Sequence, residues 1–332
     1  MFLDSFLISY VFLYILLKVI NIRVSRFEPK TIVFKDDAAH KSKIYGNIET
    51  WYYDAIFDNG YSIVCLVNLL QFLKKSMVLT GLFFYKENKL IKSFRNRTFL
   101  KNSFFSKEIP YIKIDNKEII NGKILNEPNE WVYQILMGDD INSINLHFLK
   151  KMKSWKGNHF LGNWLVVPNL KVEGSIFING KKIEVTGYGY HDHNIYNIYT
   201  PFFNKGANYG KITTESLNVV WAQVIKNKNK IENILIINKD QEIISVPSND
   251  IKLSVIDFIK DHGKIVPTKY LLNVQKNGIF INVKIESIDF HFLSIPFVKY
   301  WRHHAKNTGE IRVDSVKKII NDIEIIDQLT FL

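Results

Sequence analysis

From about residue 40 onward the chain consists of short runs in which apolar and polar positions alternate, separated by Asn-Gly and similar turns. TWYYDAIF (50–57), a turn at Asp58-Asn59-Gly60, and YSIVCLVNLL (61–70) form one predicted hairpin. KVEGSIFI (171–178), Asn179-Gly180 and KKIEVTGYGY (181–190) form a second. NVVWAQVI, ENILIIN, EIISV, KYLLNVQ, IFINVKIESIDF, EIRVDSV and DIEIID continue the pattern to the C-terminus. Strands recurring roughly every ten residues indicate an antiparallel sandwich or barrel, so the chain reads as all-β. Only INLHFLKKMKSW (144–155) and the N-terminal stretch suggest helices.

The 332 residues are long for a single sandwich. Trp51 opens a strand–turn–strand unit that Trp221 echoes in VVWAQVIKNKNKIENILII. Two successive antiparallel β-barrels follow, one over 35–205 and one over 206–332, with TPFFNKGANYG (200–210) as the joint. Ahead of them, MFLDSFLISYVFLYILLKVINIR is apolar on nearly every face, and residues 1–25 are expected to form a membrane-associating helix. Asp4 and the lack of a small-residue cleavage site argue against a signal peptide. Lys18, Arg23, Arg26 and Lys30 follow the apolar part, an asymmetry that would leave the globular part cytoplasmic with residues 1–22 at the membrane surface.

A net charge of +12 raises nucleic acid as a partner, but it comes mostly from Lys scattered among Ile and Asn, as an AT-rich coding background produces. No dense basic block, zinc-finger spacing or aromatic RNP-type strand supports that partner, and none is expected. The single cysteine, Cys65, sits in an apolar strand and reads as a small hydrophobe, which excludes a disulfide scaffold.

The chemistry concentrates in GYGYHDHNIYNIY (187–199). On a strand, residues two apart share a face, so His191 and His193 point one way and Tyr190, Asp192 and Asn194 the other. An HxH pair can begin a metal site, but no carboxylate follows in 195–200, and no spacing recruits His147, His159 or His291. Neither a metal nor another cofactor is therefore expected. Two readings lead, and a metal-dependent β-barrel enzyme with a distant third ligand stays as a third. One is an acid–base site in which Asp192, buried enough to hold a proton, is oriented by the imidazoles. The other is a buried polar knot at the joint.

Glu49-Thr-Trp51-Tyr52-Tyr53-Asp54 and Gly187-Tyr-Gly-Tyr-His-Asp-His-Asn194 together resemble motifs of the carotenoid 1,2-hydratase (hydroxyneurosporene synthase) family. That family's relatives are AttH-like proteins and fungal lipocalin-like Diels–Alderases. Weaker similarity lies at Tyr209-Gly210-Lys211-Ile212 with Val220-Trp221-Ala222, and at Tyr300-Trp301-Arg302 with Thr308-Gly309-Glu310. The resemblance implies two tandem lipocalin-like barrels. It departs after Asn194, where Ile195-Tyr196 stand in place of the family's Trp-Gly.

The resemblance implies a hydratase or cyclase that protonates a C=C bond of an isoprenoid or polyene inside a barrel pocket. Asp192 would donate the proton, with His191 and His193 orienting it or activating water. Trp51, Tyr53 and Tyr190, with Glu49 and Asn194, would line the substrate site and offer ring faces to a developing cation. A non-catalytic carrier of a hydrophobic ligand, with the HDHN group as a structural knot, is the alternative.

Overall fold

The computed structural model describes residues 27–331, apart from 41–45, 72–75, 128–129, 160–161, 227–229 and 296–297. The expected apolar helix at 1–25 lies outside the described residues. Among the described residues no helix is long and apolar enough to cross a membrane.

The strands are β1 (Lys30–Thr31), β2 (Asn47–Phe57), β3 (Tyr61–Gln71), β4 (Met77–Lys86), β5 (Lys89–Phe99), β6 (Ser103–Phe105), β7 (Tyr111–Ile114), β8 (Lys117–Ile124), β9 (Trp131–Gly138), β10 (Ser143–Leu149), β11 (Trp155–His159), β12 (Gly162–Ile178) and β13 (Lys181–Asn197). They form one antiparallel sheet in the order β5-β4-β3-β2-β13-β12-β10-β9-β8-β7-β6, with β11 bridging β1 and β12. This sheet curls into a nearly closed barrel. A second sheet, in the order β17-β16-β15-β14-β22-β21-β20-β19-β18, is built from β14 (Asn204–Thr213), β15 (Leu217–Lys226), β16 (Ile231–Lys239), β17 (Glu242–Val246), β18 (Ile251–Asp261), β19 (Lys264–Lys276), β20 (Ile279–Ile295), β21 (Val298–Val313) and β22 (Val316–Phe331).

Both predicted hairpins form, as β2–β3 and β12–β13. At the β12–β13 turn Asn179 and Gly180 have φ of 51° and 75°, the left-handed geometry that matches the twist of a tight hairpin.

Two sequence expectations are corrected. Residues 144–155 are not helical: 143–149 is strand β10, and Ile144, Leu146 and Phe148 are buried in alternation. Ile144, Phe148 and Met152 fit a helical spacing and a period of two equally well. Buried Leu146 decides for the strand, since on a helix it would face away from its neighbours. The joint is also shorter than 200–210. One helical turn, Thr200–Phe203, separates the sheets, and Gly206 and Gly210 lie within β14. Gly210 serves close packing rather than a turn, because a Cβ there would collide with the Trp221 ring.

Three large apolar clusters, with a small fourth around Ala207 and Val224, pack the described residues. One fills the first barrel around Trp51, Tyr53, Tyr133 and Phe148. Another fills the second sheet around Trp221, Tyr270, Leu272 and Ile285. The third lies between the sheets and draws on Tyr52, Tyr85, Trp155, Trp164 and Tyr190 from one side and Val220, Ile236, Tyr300 and Ile325 from the other. The outer faces of β2 and β13 thus meet the second sheet across a packed seam. Cys65 is buried in β3, as the apolar run implied.

Candidate functional site

Strand alternation divides the HDH motif between two environments. His191 and His193 point into the first barrel, and both are fully or almost fully buried. They meet Asp37, the last residue of the 3-10 turn Phe34–Asp37, which is itself buried. His191 Nε2 lies 3.1 and 3.0 Å from the two Asp37 carboxylate oxygens, and its Nδ1 lies 2.9 Å from the Tyr52 carbonyl. A carbonyl only accepts, so Nδ1 must donate, and a proton must also lie between Nε2 and Asp37.

His193 is held between two carboxylates, with Nδ1 3.0 Å from Asp37 Oδ1 and Nε2 2.9 Å from Glu49 Oε1. Burial disfavours charge on His193, but hydrogen bonds from Asp37 and Glu49 outweigh it and push its pKa up to about 9. Burial likewise opposes ionisation of Asp37, yet the two histidines hold its carboxyl well below the usual range. Glu49 is lowered too, burial being outweighed by hydrogen bonds from His193 and His40. His193 stacks on Trp51 with centroids 4.3 Å apart, and His191 on Tyr53 at 4.0 Å, placing π faces over both imidazoles.

Asp192 faces the seam. Trp164 Nε1 donates to its Oδ2 at 3.2 Å, Tyr190 Oη to the same oxygen at 3.1 Å, and Asn194 Nδ2 to Oδ1 at 2.7 Å. Burial raises its pKa to about 7 against the pull of His191 and of the Trp164 and Tyr190 hydrogen bonds. Nearby, Lys211 of β14 reaches across the seam to Asp54 of β2 at 2.8 Å and lies 3.5 Å from Glu324 of β22. Burial lifts Asp54 to about 6 although Lys211 pulls it down. Buried Arg302 of β21 pairs with Asp327 at 3.2 Å and sits over the rings of Tyr52, Phe83 and Tyr300.

Two cavities open along this seam. A small one of about 30 Å³ is walled by Tyr52, Trp164, Tyr190, Asp192, Tyr209 and Lys211 among others. A larger one of about 210 Å³ shares Asp54 and Lys211 with it and continues past Tyr188 to Asp322 and Glu324.

The expected site residues therefore separate. Tyr190 and Asn194 accompany Asp192 at the seam. Trp51, Tyr53 and Glu49 stay with the histidines inside the first barrel, where Trp51 and Tyr53 belong to a packed core rather than to the walls of either seam cavity. The histidines do not orient Asp192, because β-strand alternation sets them on the opposite face and Asp37, Glu49 and the Tyr52 carbonyl take their nitrogens. His147, His159 and His291 do not join the motif: His291 Nδ1 bonds Tyr85, and His159 packs edge-on to Trp164.

Asp37, His40, Trp164, Lys211 and Arg302 were not assigned from sequence. Lys211 and Arg302 did stand inside the two weaker matches, so those short similarities were the available signal. Asp37 carries none, since KDDAAH has no local pattern.

No family model matches this sequence, and no curated protein does. Solved structures share its fold. An AttH-like protein from Nitrosomonas europaea superposes with a TM-score of 0.65 at 12% identity, over 91% of this chain and 97% of its own. Kievitone hydratase from Nectria haematococca gives 0.58 at 11%, over 90% and 93%. CghA gives 0.51 at 7%, over 93% and 99%, and it is also known in complex with Sch210972. All belong to the AttH-like lipocalin-fold group, and this chain shares that fold as one nearly closed barrel with a second sheet, where the motifs implied two barrels.

Proposed function

We propose that the chain is an acid–base enzyme of the hydratase or cyclase type, acting at the seam on an unsaturated hydrophobic molecule. The observation that carries this reading is Asp192: a half-buried carboxyl with a pKa near 7, facing an aromatic-walled cavity of about 30 Å³, room for one C=C unit, beside the 210 Å³ cavity that would hold the rest of the molecule. A carboxylic acid poised near neutral pH is suited to donating a proton. In the proposed step Asp192 protonates a C=C carbon, and the bond's electrons form the new C–H bond. Positive charge then develops on the neighbouring carbon, where the faces of Tyr52, Trp164, Tyr190 and Tyr209 can stabilise it. The carboxylate left behind already faces three donors, from Trp164, Tyr190 and Asn194, so no reorganisation is needed as its charge appears.

In a hydratase water adds to the cation; in a cyclase an internal double bond attacks it, forming a C–C bond and a new cation that loses a proton to the Asp192 carboxylate. In a hydratase the adding water gives up its proton to the Asp192 carboxylate, which restores the acid. The names of kievitone hydratase and the CghA–Sch210972 complex support placing such chemistry, or the binding of a small organic molecule, on this fold. The pocket inferred from sequence moves accordingly, from the barrel interior to the seam.

The co-purified hydrophobe, extracted and identified by mass spectrometry, supplies the substrate for the test. Asp192→Asn should lower its turnover by roughly 10²–10⁴-fold while still retaining the molecule on purification. Turnover at the wild-type rate would remove Asp192 from the mechanism. We also propose that residues 1–22 associate with the membrane, the source of such a substrate. A chain lacking residues 1–25 should leave the membrane fraction, and unchanged pelleting would refute the anchor.

A further inference from the structure

The inner half of the motif holds a constellation that the seam chemistry does not use. His40 follows the turn carrying Asp37 and reaches the same end of the barrel as Glu49 and His193. One ligand atom from each of these three lies within 4.8 Å of the others. His40 Nδ1 and His193 Nε2 both crowd Glu49 Oε1 at 2.9 Å, while Glu49 Oε2 is buried with no hydrogen-bond partner. A buried carboxylate oxygen without a donor is costly, and it marks a place where a cation is wanted.

The other nitrogen of His193 is held by Asp37 at 3.0 Å, and Asp37 is itself fixed by His191. A carboxylate on the far side of an imidazole is the support that orients metal-bound histidines and sets their tautomer.

We propose that His40, Glu49 and His193 form a binding site for one divalent transition-metal ion, zinc foremost, on the face of β13 opposite Asp192. Two imidazoles and a carboxylate suit zinc and its neighbours rather than magnesium or calcium, and they leave a fourth position open. At zinc–ligand lengths of about 2.0–2.1 Å, tetrahedral donors stand roughly 3.3 Å apart, so the present 2.9 Å contacts need open by only a few tenths of an ångström. The His40 side chain is 46% exposed, giving the ion a route from solvent to two buried ligands. Once bound, the ion ties His40 to Glu49 of β2 and His193 of β13.

The test uses the full chain without a polyhistidine tag, stripped with chelator and titrated with zinc chloride by calorimetry. The expected result is saturable binding of one zinc per chain, with a higher melting temperature in the zinc-bound form. His40→Ala removes an exposed ligand and should weaken zinc binding by at least about 100-fold in a chain that still melts cooperatively, at a slightly lower metal-free temperature for the hydrogen bond lost to Glu49. His262→Ala, at a half-exposed histidine in the turn between β18 and β19, should bind as wild type does. Cobalt(II) added to the wild-type chain should give the visible absorption of a tetrahedral site, a readout that stands even where a variant fails to fold. Absence of saturable zinc binding, a His40→Ala chain that binds like wild type, or cobalt spectra of the free aquo ion would each overturn the site. The readout is binding, so either outcome leaves Asp192 to its own test.

Discussion

At the scale of single residues, the HDH motif serves two purposes because a β-strand has two faces. The histidines hydrogen-bond buried Asp37 and Glu49, whereas Asp192 lacks a cationic hydrogen-bond partner and keeps its proton near neutral pH. The two sets should respond to mutation in opposite ways. His191→Leu leaves Asp37 short of one partner and the Tyr52 carbonyl without its donor. It should cost about 3–5 kcal/mol of stability, measured by urea unfolding. A loss below about 1 kcal/mol would mean the pair is not the barrel's polar anchor. Period-two alternation made the division of faces readable from sequence. The partners were not readable, because Asp37 is 154 positions from His191 and meets it only after the barrel curls.

At the scale of elements, β2, β13, β14 and β22 build the seam, and the Lys211–Asp54 pair ties β14 to β2. Both groups are buried, so removing one strands the other. Lys211→Met should destabilise by about 3–5 kcal/mol, and adding Asp54→Leu should recover much of that loss, because a well-packed apolar pair often replaces a buried ion pair without penalty. Additive losses in the double variant would contradict this description. Hairpins with Asn-Gly turns were legible because the turn chemistry is local. The strand at 143–149 and the early start of β14 were not. Ile144, Phe148 and Met152 satisfy two periods at once, and Gly206 and Gly210 look like loop glycines until the Leu329 backbone and the Trp221 ring are packed against them.

At the scale of the whole molecule, the aromatic cluster between the sheets joins two cores into one body. Large side chains buried there each contribute roughly 1.5–3 kcal/mol, and they are shared, so neither sheet can lose its partner without exposing them. The motif resemblance made the layout of two halves foreseeable. That the cavities would lie between the halves was not foreseeable, because no local pattern reports which face of a strand meets another sheet. With the halves coupled, a single melting transition reports on the seam and on Asp192 within it.

The most direct measurement is the melting temperature of wild type and Asp192→Asn from pH 4 to pH 9. The folded-state pKa of Asp192, about 7, lies above its ordinary value of 3.8. Between those values the folded chain binds more protons than the unfolded one, so the stability contributed by the proton is present at low pH and lost as pH rises toward 7. Wild type should therefore lose stability relative to Asp192→Asn across that window, by up to about 4 kcal/mol at about 1.4 kcal/mol per pH unit, and the difference should level off above it. A variant that is less stable than wild type by the same margin at every pH would contradict a protonated Asp192 and leave it a structural hydrogen-bond acceptor.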